Sequence, residues 1–125
     1  MIKTQNYSQT QNSKHYDLEE RSFIFARDVR AFVKKISKTI GNFEDAKQLV
    51  RSSGSVGANY IEANEALSKK DFVMRIMICR KEAKESEYWL RLLEVNSSLE
   101  SERTKLINES VELRKIFGAI LEKTK

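Results

Sequence analysis

Covalent or acid–base catalysis needs a nucleophile or proton carrier with a partner inside hydrogen-bond reach. This chain holds one cysteine, Cys79, and one histidine, His15. His15 falls in a polar N-terminal stretch, whereas Cys79 sits inside an apolar helical pattern, where a small hydrophobe is expected in a reducing compartment. A Cys79–His15 dyad is not supported. Glu62 and the pair Glu82 and Glu85 have the helical spacing of carboxylates that bridge metals in helical bundles, but the Glu-x-x-His pairs of such sites are missing. The expectation is a protein that is not an enzyme, with no catalytic residue, no metal and no cofactor. No small-molecule substrate is evident.

The run Arg51-Ser52-Ser53-Gly54-Ser55-Val56-Gly57-Ala58-Asn59-Tyr60 lacks the Gly-Lys-Ser/Thr ending of a phosphate loop. Its Gly54-x-x-Gly57 spacing is also that of a KH-type nucleic-acid clamp, but the chain offers no strands to build that fold. Close packing is the better reading: Gly54 and Ala58, one turn apart, let another helix approach, at about 1 kcal/mol of helix propensity per Gly. Asn59 and Glu62 lie one turn apart, and facing inward they require partners such as Arg80, Lys81 or Tyr88. Together with Glu82 and Trp89 they are expected to form an internal packing and polar network.

Lys69, Lys70, Arg75, Arg80, Lys84 and Arg91 form the candidate phosphate-binding set. Glu82, Glu85, Glu87 and Glu94 are interleaved with them at ion-pair spacing, which favours an ordinary solvated face on a single chain. Repeated by symmetry around an assembly, a mild basic strip becomes a larger field. Lys and Arg exceed Asp and Glu by 23 to 18, a formal charge of +5 that suits an anionic partner. Tyr60, Tyr88 and Trp89 could stack on bases, although their helical spacing suits a core or subunit interface equally.

The elements that position these residues are helical throughout. The chain has 125 residues, no proline and four glycines, which leaves few helix breakers and few hairpin turns. Residues 1–16 lack apolar periodicity and are expected to be a flexible polar tail, followed by a single domain over 17–125. Acidic residues Asp17, Glu19 and Glu20 open the first helix, whose apolar residues run from Leu18 to Ile40 and which is expected to close at Gly41-Asn42. A second helix is expected from Phe43 to Asp45 onward, with an inward stripe through Ala46, Leu49, Val50, Ser53, Val56, Gly57, Tyr60, Ile61 and Asn64. Ser68 reads as the N-cap of a third helix, and Phe72, Ile76, Cys79, Ala83, Ser86, Leu90 and Leu93 trace a seam of alternating four- and three-residue steps. Asn96-Ser97-Ser98 breaks the pattern, with Ser101 a candidate cap. Leu106, Ser110, Leu113, Phe117 and Ile120 or Leu121 mark the fourth helix. The implied fold is all-α, an antiparallel up-and-down left-handed four-helix bundle. With no membrane span and no signal-type N-terminus, a cytoplasmic location is expected.

Several segments, in this order, carry a resemblance. They are Tyr16-Asp17-Leu18-Glu19-Glu20-Arg21, Arg51-Ser52, Ser55 through Ala63, Ser68-Lys69-Lys70-Asp71-Phe72, and Ile78 through Leu93. Over Tyr16 to Leu93, and more loosely in the fourth helix, the chain resembles the bacterial four-helix-bundle proteins called 23S rRNA intervening sequence proteins. That resemblance implies a homopentamer. It also implies RNA, DNA or a nucleic-acid-processing protein as partner, because relatives lie in rRNA-gene insertions or accompany reverse transcriptases. The expectation is a self-assembling bundle that binds nucleic acid through a basic surface of the ring; the alternative is a structural or protein-interaction scaffold with no nucleic-acid role.

Overall fold

The computed structural model describes residues 17–125. The expected tail over residues 1–16, and His15 with it, lies outside the described residues. Four α-helices account for nearly all of the described chain: α1 (Leu18–Val33), α2 (Ile40–Asn64), α3 (Lys69–Leu92) and α4 (Glu100–Lys123), the last preceded by a 3-10 turn at Ser97–Leu99. No strand occurs among the described residues. Each helix packs on the next in the chain, and α4 returns to contact α1, so the circuit is closed.

Capping explains where the helices begin. Asp17 accepts the Glu20 amide, Thr39 the Asn42 amide and Ser68 the Asp71 amide, each side chain satisfying one of the N–H groups a helix start leaves unpaired. Ser68 is therefore the cap the sequence indicates. Two other expected boundaries are corrected. The first helix ends at Val33, and Gly41-Asn42 does not close it but lies in the first turn of α2, because Thr39 caps α2 there. Neither residue has a positive φ. Ser101 is an exposed residue inside α4, which starts after the 3-10 turn without any side-chain cap.

The interior joins Phe25, Val29, Phe32, Leu49, Val56, Ile76, Leu90, Leu113 and Phe117, all essentially inaccessible. Between these large residues lie small ones: Ser22, Ser52, Ser53, Ala63, Cys79, Ala83, Ser86 and Ser110 are also buried. The α3 seam is buried from Ile76 to Leu93, with Phe72 half-buried at its start. In α4 the inward residue is Leu121, with Ile120 only half-buried. The α2 stripe departs from expectation at its end, where Ile61 is exposed and Ala63 is buried instead. That shift moves the close approach as well. A Cβ added at Gly57 would lie 3.3 Å from the Ser22 Cβ of α1, whereas Ala58 is exposed. At Gly54 the nearest foreign atom is the Arg30 guanidinium, 3.4 Å away and at the end of a flexible side chain. Gly57, in place of the Gly54 and Ala58 pair, is thus where α1 meets the α2 backbone.

Polar contacts lock the layout. Arg21 on α1 grips Glu109 on α4 through two bonds of 2.7 and 2.9 Å, and Lys35 reaches Glu102 at 3.0 Å. Hydrogen bonding to Glu109 holds the Arg21 guanidinium proton more tightly than usual, against an opposing effect of burial. These pairs fasten α1 and the connection after it to α4; α1 and α4 are the most sparsely packed neighbours in the circuit. Beside the Lys35–Glu102 pair, buried Asn42 donates to the carbonyls of Ser37 (2.9 Å) and Glu94 (2.8 Å), and its Oδ1 accepts the Glu94 amide at 2.8 Å. One side chain thereby joins the α1–α2 connection to the end of α3.

Replacing Asn42 with Ala would leave three main-chain groups at part-buried positions without their partner. We expect a loss of about 2–4 kcal/mol in urea unfolding, given roughly 1–3 kcal/mol for each buried group left unpaired and partial rescue by water. Asn42→Asp should also destabilise, since a carboxylate cannot donate to the two carbonyls.

Candidate nucleic-acid interface

On α3, Arg80, Lys81 and Lys84 occupy one turn, and on α4 Arg114, Lys115 and Gly118 occupy another. The packing of α3 against α4 sets these two turns side by side. Together the six residues line a groove of about 500 Å³ with five cationic side chains and no carboxylate in its walls. Gly118 contributes no side chain, and a Cβ built there would meet nothing closer than Arg80 Cδ at 4.0 Å. Arg114 makes a long ion pair with Glu87 at 3.8 Å, and Lys115 one with Glu112 at 3.9 Å. The Nε of Arg114 is buried and has no hydrogen-bond acceptor among the described residues. Like charges held this closely repel, so an anion entering the groove is favoured.

Of the six cations singled out in the sequence, Arg80 and Lys84 line this groove. Lys69 and Lys70 are exposed in the first turn of α3 and Arg91 in its last, away from the groove. Arg75 is half-buried and donates to Asn59 Oδ1 at 3.0 Å, so it serves the α2–α3 contact. The sequence reading overlooked Arg114, Lys115 and Gly118. The available signal was the matching spacing of Arg80-Lys81-x-x-Lys84 and Arg114-Lys115-x-x-Gly118, but only tertiary packing brings the two turns together.

The expected internal network is also redrawn. Asn59 bonds Arg75 and, through Nδ2, the Ser55 carbonyl and hydroxyl at 2.9 and 3.0 Å, in place of Arg80, Lys81 or Tyr88. Glu62 is exposed and takes no part, because the helical turn from Asn59 carries it outward. Glu82 is only 6% exposed, with Arg51 Nη1 at 3.7 Å; the same guanidinium reaches Glu85 at 3.4 Å. Trp89 is half-buried against the core, and its ring meets the exposed Tyr88 edge-on, centroids 4.9 Å apart.

Four packed helices carrying a cationic groove, with no group of three metal-binding side chains among the described residues, define a helical-bundle protein with an anion-attracting face. The family model for the 23S rRNA-intervening sequence protein matches residues 14–119, and the chain belongs to that family. The match runs through most of α4, further than the segments that first carried the resemblance. Among solved structures, the chain is similar to a protein of unknown function from the S23 ribosomal protein family of Bacteroides thetaiotaomicron VPI-5482. The two share 32% identity over 83% of this chain and 94% of that one, with a TM-score of 0.71. No curated protein matches the chain. No helix among the described residues is long and apolar enough to cross a membrane.

Cys79 lies at the α2–α3 contact, fully buried, and its thiol donates to the Val56 carbonyl at 3.4 Å. Desolvation, the largest influence, pushes its pKa from 9.0 to about 12. A thiol that keeps its proton in the folded state while the unfolded chain ionises near 9 stabilises the fold fully below pH 9. That contribution is lost as pH climbs from about 9 to 12. Burial raises the Tyr60 pKa too, adding a slope of the same sign. Stability measured by urea unfolding between pH 8 and 10 should therefore fall less steeply for Cys79→Ala than for the wild type. Equal slopes would show that Cys79 ionises equally easily in both states.

Proposed function

We propose that this protein is a non-enzymatic, self-assembling bundle that binds nucleic acid through the α3–α4 groove. On this reading the helices run antiparallel, up and down, with a left-handed twist. Copies assemble as the homopentamer that the family resemblance implies, working in the cytoplasm. The observation that carries the binding reading is the groove itself: five cations from two helices, walled without a carboxylate. Phosphates of a nucleic-acid backbone are anions that such a surface recognises without regard to sequence. Family membership supports the same reading, since the family's description refers to 23S rRNA. Exposed Phe23, Ile61, Leu67, Met74 and Met77 are the large apolar side chains that contacts between copies would cover. Arranged around a ring, several grooves would add their fields and hold one strand at several points.

Affinity for fluorescent RNA and DNA of mixed sequence, measured by anisotropy at rising salt, tests this function. With three to five phosphates neutralised per groove, log K should fall against log salt with a slope of about −2 to −4, steeper where several grooves engage one strand. Light scattering on the same samples should give a multiple of the chain mass. Absence of binding at low salt would leave the scaffold reading in place of the nucleic-acid one, and a monomer mass would remove the ring.

A further inference from the structure

Lys81, Lys84 and Tyr88 follow one another at steps of three and four residues, so they lie along one face of α3. Two of them line the basic groove, and the third stands one turn beyond its α3 wall. Tyr88 is 56% exposed, an unusual position for a tyrosine ring next to a cationic groove. Its orientation is not left free, because Trp89, packed against the core, meets it edge-on with an interplanar angle of 75°. Arg114 flanks the groove from α4 and carries the buried, unpaired Nε. A cationic track beside a braced and exposed aromatic is the chemistry that holds unpaired nucleotides: the track follows the phosphates while a base stacks on the ring. A duplex keeps its bases stacked on one another and offers Tyr88 only phosphate and sugar.

Resting on the nucleic-acid reading above, we infer that the groove selects single-stranded over double-stranded nucleic acid. Phosphates sit among Arg80, Lys81, Lys84 and Arg114, and an adjacent base stacks on Tyr88. Two carboxylates pair with groove cations, Glu87 with Arg114 at 3.8 Å and Glu112 with Lys115 at 3.9 Å. A phosphate competes with these long pairs for cations already in place, so no rearrangement of the helices is required.

The test uses the full chain with a labelled oligouridine, its duplex with oligoadenosine, and an abasic strand of the same length, all at one salt concentration. Single strand should bind at least about tenfold more tightly than duplex. Tyr88→Leu should weaken single-strand binding roughly 5- to 100-fold, as loss of one stacked base predicts, while Tyr88→Phe retains it. The same Tyr88→Leu variant should keep the wild-type salt slope and duplex affinity. Lys84→Gln, in contrast, should reduce the magnitude of the single-strand salt slope by about 0.7 per site. The abasic strand should bind wild type no better than the intact strand binds Tyr88→Leu. Both positions are exposed, and circular dichroism verifies that the variants are folded. Equal affinity for duplex and single strand, or indifference to Tyr88→Leu, would overturn this inference while leaving salt-dependent nucleic-acid binding intact. No binding by any of the three would overturn both.

Discussion

The arrangement depends most on one buried amide. Asn42 spends its two donors and its acceptor on main-chain groups of Ser37 and Glu94, residues on two different connections. Since both the N–H and the C=O of Glu94 are claimed, the chain leaving α3 has one direction available. Arg103 acts from the opposite side. Its guanidinium donates to the carbonyls of Leu90, Arg91 and Leu93, which a helix end leaves without partners, while Glu100 holds it in position at 2.6 Å. An α4 side chain thus caps α3. Together the two contacts set how far α4 is displaced along α3, and that displacement decides which turn of α4 faces Arg80 and Lys84. A slip of one turn would remove Arg114 and Gly118 from the groove.

Between its ends, the bundle is held by an interior finer-grained than a leucine-rich one. Four of the buried serines can bond within their own helices, Ser52 to the Leu49 carbonyl, Ser53 to Val50, Ser86 to Glu82 and Ser110 to Ile107, whereas Ser22 Oγ has no partner among the described residues. With Ser86 donating to Glu82, the one Ser52 proton can go instead to Ser86 Oγ, 2.8 Å away across α2 and α3. Small side chains bring helix backbones close and so increase dispersion contact, while satisfied hydroxyls avoid the cost of burying a bare polar atom. Cys79, its thiol bonded to the Val56 carbonyl, follows the same logic, while Gly57 against Ser22 is close approach alone. The Tyr88–Trp89 pair stands on α3 beside this close-packed α2–α3 contact, with Trp89 against the core.

Local patterns revealed the elements well, and long-range pairings poorly. The α3 seam and its Ser68 cap follow from spacing alone, because a cap and a stripe are written in neighbouring residues. Gly41-Asn42 misled because asparagine suits two different tasks, the end of a helix and a buried amide between connections, and only the position of Glu94 distinguishes them. The Ala58 and Glu62 readings failed through helical phase. With 3.6 residues per turn, an error of one position turns a side chain by about 100°, enough to exchange Gly57 for Ala58 at the α1 contact. Half of the groove was hidden for a different reason: Arg114, Lys115 and Gly118 have no sequence relationship to Arg80 beyond a similar spacing.

Helix α3 also shows why a charge count along a chain is a poor guide to its surface. Its acids alternate with its bases, which suggests mutual neutralisation. In three dimensions they part. Glu82 and Glu85 turn toward Arg51 on α2, and Glu87 turns toward Arg114 on α4. Arg80, Lys81 and Lys84 form no ion pair among the described residues and face the groove. Glu82 illustrates the mechanism. Its buried Oε1 lies 3.7 Å from Arg51 Nη1, a cation of α2, and has no hydrogen-bond donor among the described residues. Glu82 and Glu85, committed to α2, are not available to quench the groove, whose Arg114 and Lys115 have only the long pairs with Glu87 and Glu112. The packing that stabilises α2 against α3 is therefore also what leaves the opposite side of α3 positive, and the bundle acquires a polarised cross-section from a nearly balanced sequence.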